Sequence, residues 1–128
     1  MAWRIPEGLG DEEASTYGLA AATAMLALNI HLGLPWLDTN SANLPPHPQE
    51  SKSQGTVLIY AGSTSVGHFA IQSTKKSGYT VITTASPCSF DLVKRYGADI
   101  SFDYRSPTAA EETTKAFPEI TQVFDCIS

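Results

Sequence analysis

The sequence has little with which to hold a metal, bind a polyanion or cross a membrane. Its 128 residues include two cysteines, Cys88 and Cys126, with no CxxC pair and no histidine at ligand spacing. That excludes a disulfide framework and a zinc-ligand pattern, and points to two buried thiols in a reducing compartment. There is no run of Lys or Arg, and the net charge is −5. A general attraction to nucleic acid or to an anionic membrane surface is therefore excluded. The most apolar stretch, Leu19 to Ile30, falls short of the roughly 18–20 residues that a bilayer-spanning helix needs. Met1 to Pro6 has no apolar run behind its charge, so it does not read as a secretory leader, and a cytoplasmic location is expected.

What is present is an ordinary globular composition, 42% apolar and 16% charged, with enough length to bury one core. The chain divides into a helical segment over 1–33, a polar connector over 34–53 carrying Pro45, Pro46 and Pro48, and an alternating strand and helix region over 54–128. Asp11, Glu12 and Glu13 open the first helix, their charges complementing its dipole. From Ala14 to Ile30 it is apolar nearly all round and so needs cover on several sides. Gly33 and Pro35 end it.

In the third region Thr56–Tyr60 is a β-rich apolar run, the pattern of a strand buried on both faces. A helix follows with Phe69, Ala70, Ile71 and Thr74 inward, stopped by Gly78. Tyr79 to Thr84 is a second strand. Ser89 is expected to cap a second helix bearing Phe90, Leu92 and Val93, which Gly97 ends. Ile100 to Phe102 is a third strand, Ser106 and Pro107 are expected to open a third helix, and Ile120 to Ile127 is a fourth strand. This alternation predicts an α/β fold, a parallel sheet with flanking helices and right-handed crossovers. With the pattern closing at Ser128, the expectation is a partial Rossmann fold, an incomplete doubly wound domain.

Between the first strand and its helix lies Gly62-Ser63-Thr64-Ser65-Val66-Gly67. Such a turn holds pyrophosphate by its backbone N–H groups and the helix dipole. Against G-x-G-x-x-G, Gly62 makes the turn, Gly67 lets helix and strand pack closely, and Thr64 replaces the middle glycine; its hydroxyl can donate to a phosphate oxygen. The alternative is a non-binding turn of the same fold that merely needs glycine. A nucleoside-triphosphate loop is excluded, because His68 and Phe69 stand where Lys and Ser/Thr are required. No tyrosine has a lysine four residues later, which excludes a short-chain dehydrogenase pair. The second strand ends Thr83-Thr84-Ala85-Ser86 without the carboxylate that would bond a ribose 2′-hydroxyl. That favours NADP(H) over NAD(H). Ser86, Ser89 and Tyr104 are the candidates to line a 2′-phosphate. Lys94 and Arg95 are less favoured helpers, better read as a solvated helix face.

Taken with Ala70-Ile71-Gln72, Gly78-Tyr79, Thr84-Ala85-Ser86-Pro87, Phe90-Asp91-Leu92, Tyr96-Gly97-Ala98-Asp99 and Phe102-Asp103-Tyr104-Arg105, this turn resembles that of the fungal trans-acting enoyl reductases. These are zinc-free, NADPH-dependent members of the medium-chain dehydrogenase/reductase superfamily. The likeness extends to Pro6-Glu7-Gly8 and to Glu13 through Ala24, which resemble the segment joining the catalytic and cofactor domains. The resemblance implies reduction of α,β-unsaturated polyketide thioesters, with the acyl carrier domain of a polyketide synthase as partner. It implies pyrophosphate at Gly62 to Gly67 and a 2′-phosphate near Ser86, Ser89 and Tyr104, where related quinone reductases carry a lysine at the position of Ser89. It also places Thr23 toward the nicotinamide, although a hydroxyl bonded back to its own helix fits Thr23 equally. A full family member is more than twice this length, so a fragment inactive on its own is expected. Two other readings stay open: a non-catalytic dinucleotide-binding or interaction module that pairs with a complementing chain through the open edge at Ile120 to Ile127, and a fragment of a generic quinone or alcohol reductase.

Overall fold

The computed structural model describes residues 4–36 and 54–127; most of the connector expected over 34–53 lies outside the described residues. Helix α1 (Asp11–Met25) runs on into π-helical turns over Leu26–His31. There follow β1 (Thr56–Tyr60), α2 (Ser65–Lys76), β2 (Thr80–Ala85), a short 3₁₀ turn (Pro87–Ser89), α3 (Phe90–Tyr96), β3 (Ile100–Asp103), α4 (Ala109–Ala116) and β4 (Ile120–Asp125). The four strands form one parallel sheet in the order β3-β2-β1-β4. That order, with helices between successive strands, is the one in which a doubly wound dinucleotide-binding sheet begins.

One face of the sheet carries the core. Val57 and Ile59 of β1, Val81 of β2, Ala70 and Ile71 of α2 and Val93 of α3 are fully buried together, joined by Ala24 and Leu28 from the first helix. The opposite face is covered by α4 and is less closed. Leu58 and Tyr60 of β1 are half-buried there beneath a groove bounded by Thr84, Ala109, Thr113 and Phe117. The expectation of a first strand buried on both faces is corrected accordingly: one face is sealed and the other is partly open. Helix α1 packs on α2, with Ala24 in the core cluster beside Ala70 and Ile71; α1 leaves Leu19 exposed and the π-helical turns leave Leu26 and Ile30 exposed, so the apolar circumference is covered on one side only.

Several local details differ from the sequence reading. Ser89 stands at the N-cap of α3, as expected, but its side chain makes no capping bond and its hydroxyl meets Ser86 instead. Of the apolar residues on α3, Val93 is fully buried and Leu92 is exposed. The last helix starts at Ala109, later than Ser106 and Pro107 would place it. Ser106 and Pro107 form a turn in which the Ala109 amide donates to the Ser106 carbonyl, and Thr108 holds the cap position. Cys88 is exposed and Cys126 half-buried, so the pair of buried thiols is not observed.

The start of β2 is fastened to the turn before β3 by Asp99. One carboxylate oxygen accepts from the Val81 amide at 2.8 Å, the other from Lys75 Nζ at 2.6 Å, and the Asp99 amide donates to the Val81 carbonyl at 2.9 Å. The Lys75 partner is about a third exposed and should contribute little. The Val81 amide, by contrast, loses its acceptor if the carboxylate is removed. Asp99→Ala is predicted to lower stability by about 1–3 kcal/mol, and Lys75→Ala by under about 1 kcal/mol, in urea unfolding of the full chain. Equal losses from the two variants would show that the ion pair, not the backbone bond, is the stabilising contact.

Candidate functional site

The chain leaves β1 through Ala61, which has φ 61°. A left-handed conformation costs a residue with a Cβ about 1–2 kcal/mol, so neighbouring contacts must hold it. The Ala61 amide donates to Thr84 Oγ1 at 3.0 Å. Its carbonyl accepts from the Thr64 amide at 3.1 Å and the Thr64 hydroxyl at 2.9 Å. The next amide, Gly62, donates to the Thr84 carbonyl at 3.0 Å. The turn is thus tied at consecutive residues to the end of β2.

Both glycines are required by packing. A Cβ on Gly62 would collide with Thr83 Oγ1 and lie 2.8 Å from Ile71 Cδ1. A Cβ on Gly67 would lie 2.6 Å from the Ala61 carbonyl oxygen and 2.7 Å from the Gly62 backbone. Thr64 departs from the sequence reading. It is the N-cap of α2, its oxygen accepting from the Gly67 amide at 3.1 Å while its proton goes to Ala61. The hydroxyl therefore closes the turn on itself and has no proton left for a phosphate. Among the described residues, the amides of Ser63, Ser65 and Val66 bond no acceptor. They lie at the start of the 12-residue α2, whose dipole places partial positive charge there.

A second cluster forms at the ends of β2 and β3. Ser86 Oγ lies 3.3 Å from Ser89 Oγ and 3.2 Å from Cys88 Sγ. Tyr104 is half exposed, and its hydroxyl accepts from Arg105 Nε at 3.1 Å while the guanidinium lies 5.3 Å from its ring centroid. The Ser86 and Ser89 hydroxyls, with a smaller contribution from the Arg105 charge, hold the Cys88 thiol below its ordinary pKa. The pairing of Ala85 with Asp103 sets the end of β3, with Tyr104 and Arg105 just after it, beside the end of β2, so Arg105 is a cation near a strand end that has none of its own. In the sequence Arg105 directly follows Tyr104, itself a candidate for the 2′-phosphate, and that adjacency is the signal that could have found it. Lys94 and Arg95 are exposed on α3, and the solvated reading of them stands. The Thr23 hydroxyl donates to the Leu19 carbonyl at 2.8 Å, the self-bonded alternative, and is exposed.

Cys126 lies on the other flank of the turn, just beyond β4, its amide donating to the Tyr60 carbonyl at 3.3 Å. Burial and the neighbouring Asp125 charge push its thiol up to about 12. His68, one turn into α2, stacks on Tyr96 with ring centroids 4.4 Å apart. Burial lowers its pKa, so its imidazole is the neutral form near pH 7.

The same stretch recurs in fungal proteins. A trans-enoyl reductase of Xenoacremonium sinensis is 43% identical over 113 residues, covering 88% of this chain and 28% of the relative. A trans-enoyl reductase of Cochliobolus carbonum is 41% identical over 129 residues, covering 100% of the chain and 40% of the relative. The chain is a homologue of the fungal trans-enoyl reductases. It spans about a third of the length of the reductases it matches, and no family model matches it. Among solved structures, the quinone oxidoreductase of Coxiella burnetii superposes with a TM-score of 0.69 at 29% identity, over 98% of the chain and 33% of that protein. The Thermus thermophilus quinone oxidoreductase, also determined with NADPH, gives 0.69 at 26% identity over 93% and 34%. An NAD-dependent alcohol dehydrogenase gives 0.69 at 26% identity over 88% and 28%. The trans-enoyl reductase homologue thus shares the Rossmann-like sheet of medium-chain oxidoreductases.

Two outcomes follow from this geometry. Gly62→Ala and Gly67→Ala should each lower stability by about 1–3 kcal/mol in urea unfolding, because the turn must separate from β2 or α2 to admit the methyl group. Near pH 8 a thiol reagent should label Cys88 rapidly and Cys126 slowly, since only the thiolate reacts. Mass spectrometry of the labelled peptides reads the order, and faster labelling of Cys126 would mean that its environment is not the buried one described.

Proposed function

We propose that residues 54–128 bind the adenosine and pyrophosphate portions of NADPH in an enoyl reductase of fungal polyketide metabolism, and that residues 1–33 join this unit to a catalytic domain. The observation that carries the reading is the polar character of the paired ends of β2 and β3, where the exposed Arg105 guanidinium bonds the Tyr104 hydroxyl, Ser86 meets Ser89, and the end of β2 lacks a carboxylate. A 2′-phosphate carries negative charge and accepts several hydrogen bonds. A guanidinium bonded to a tyrosine hydroxyl, with two serine hydroxyls on the neighbouring strand end, matches that chemistry better than it matches a neutral ribose 2′-hydroxyl. Within the glycine turn, the open amides of Ser63, Ser65 and Val66 would receive the pyrophosphate, and Gly62, Thr64 and Gly67 hold the backbone that presents them.

When bound, NADPH supplies the hydride that reduces an enoyl thioester. The contribution of this chain is to fix the non-reacting end of the cofactor, so that binding strength there orients the distant nicotinamide. By the same reading the reductase works in the cytoplasm on thioesters carried by the acyl carrier domain of a polyketide synthase, and residues 1–128 alone bind without turnover. Support comes from the names of its relatives, including a dual trans-enoyl reductase and FAD-dependent monooxygenase of Aspergillus terreus, and from the NADPH complex of the Thermus quinone oxidoreductase. Among the described residues no helix is long and apolar enough to cross a membrane.

Calorimetric titration of the full chain with NADPH and with NADH tests the cofactor. NADPH should bind more tightly, and Arg105→Ala should weaken NADPH about tenfold or more while leaving NADH within about twofold, as expected for one lost charge-assisted contact. Equal loss for both cofactors would place Arg105 away from the 2′ position. Tighter NADH binding in the unmodified chain would make this an NAD site.

A further inference from the structure

Thr84 bonds two consecutive residues of the turn, although it belongs to a different strand. It is 6% exposed, on the face of β2 opposite to Thr83. Its side-chain oxygen accepts from the Ala61 amide at 3.0 Å and its carbonyl from the Gly62 amide at 3.0 Å. Ala61, with φ 61°, is the one non-glycine residue among those described that adopts positive φ. Alanine gains nothing from that conformation, whereas glycine would adopt it freely. The left-handed alanine therefore depends on its bonds. Two of these come from Thr64 within the loop, and one comes from Thr84 across the sheet.

We infer that Thr84 is a positioning residue for the dinucleotide: its hydroxyl holds Ala61 left-handed, and this conformation aims the free amides of Ser63, Ser65 and Val66 outward instead of into the β1–β2 junction. The inference rests on the cofactor reading above. If Ala61 relaxes to an ordinary negative φ, the backbone after β1 takes another direction, and the start of α2 no longer presents those amides together. Thr83, its neighbour, has a different task. Its hydroxyl donates to the Ile59 carbonyl at 2.7 Å and fills the space that a Cβ on Gly62 would need. Packing under the turn and clamping of the turn are thus divided between adjacent threonines on opposite faces of one strand.

The test has a binding arm and a backbone arm. In the binding arm, the full chain and its variants are titrated with NADPH. Thr84→Val, nearly equal in volume but without the acceptor, should weaken binding about tenfold while circular dichroism stays native, the size expected for one lost buried acceptor. Thr84→Ser should stay within about threefold of the unmodified chain, since it retains the oxygen. Adding Ala61→Gly to Thr84→Val should restore most of the affinity, because glycine needs no clamp to hold positive φ. A folded Thr84→Val chain that binds NADPH as tightly as the unmodified chain would overturn the inference. So would a double variant as weak as Thr84→Val alone.

The backbone arm needs neither a variant nor a ligand. In hydrogen exchange of the unmodified chain, the Ala61 and Gly62 amides should be protected, and those of Ser63, Ser65 and Val66 should exchange rapidly. Ala61 exchanging as fast as Ser65 would overturn the clamp even if Thr84→Val does not fold. A protected Ala61 in a chain that binds no NADPH would uphold the clamp as a feature of the turn and overturn its role toward the dinucleotide. That failure belongs to the cofactor reading.

Discussion

The structure depends on how closely β1, β2 and the start of α2 approach one another at the glycine turn. A Cβ at Gly62 would occupy the Thr83 hydroxyl, and one at Gly67 would meet the turn's own backbone. This contact fixes where β1 ends, where α2 begins and which way the intervening amides face. Ile71 and Thr83 pack against Gly62 beneath the junction, and Ile71 joins Ile59 and Val81 in the core cluster on the same face of the sheet. Interiors are close-packed, so a junction of this kind has little room to adjust. It is either formed or lost as a unit.

From that junction the polar groups divide into those used by the fold and those left for a ligand. The Thr64 hydroxyl, the Gly67 amide and the Ala61 peptide are all used within the turn. The amides of Ser63, Ser65 and Val66 are not. The same division appears at the strand ends. Asp103 takes the Arg105 amide at 3.0 Å, whereas the Arg105 side chain bonds only the Tyr104 hydroxyl among the described residues and remains exposed. The free groups, backbone donors at a helix start and one exposed guanidinium bonded to a tyrosine hydroxyl, are the groups on which the proposed binding of two separated anionic groups rests.

Much of this was legible in the sequence, for physical reasons that also explain the rest. β1, β2 and β4 stand out as apolar β-rich runs between turn signals, and Gly78 and Gly97 mark helix ends by their positive φ. Those signals are local, and the parallel α/β fold follows from them. The caps were less legible. Ser89 and Ser106 look like caps by residue type, but each is drawn into a hydroxyl pair, with Ser86 and Thr108 respectively. Ala61 gives no sequence signal for a left-handed turn, because its conformation is imposed from a strand more than 20 residues away. Arg105 follows Tyr104, a phosphate-lining candidate in the sequence, but residue type and pattern do not show that its guanidinium bonds the Tyr104 hydroxyl. Thr64 was assigned a ligand contact that the turn itself consumes.

The central claim is that the open amides of this turn and the Arg105 cluster receive the two ends of one dinucleotide fragment. The most direct measurement is an amide and side-chain NMR titration of the full chain with 2′-phospho-ADP-ribose, which carries the pyrophosphate and the 2′-phosphate but no nicotinamide. The account predicts that the largest shifts fall together on the Ser63, Ser65 and Val66 amides and on Arg105 Nε, saturating at one ligand concentration. Saturable shifts confined to other surfaces, or shifts at Arg105 that leave the turn unmoved, would contradict it.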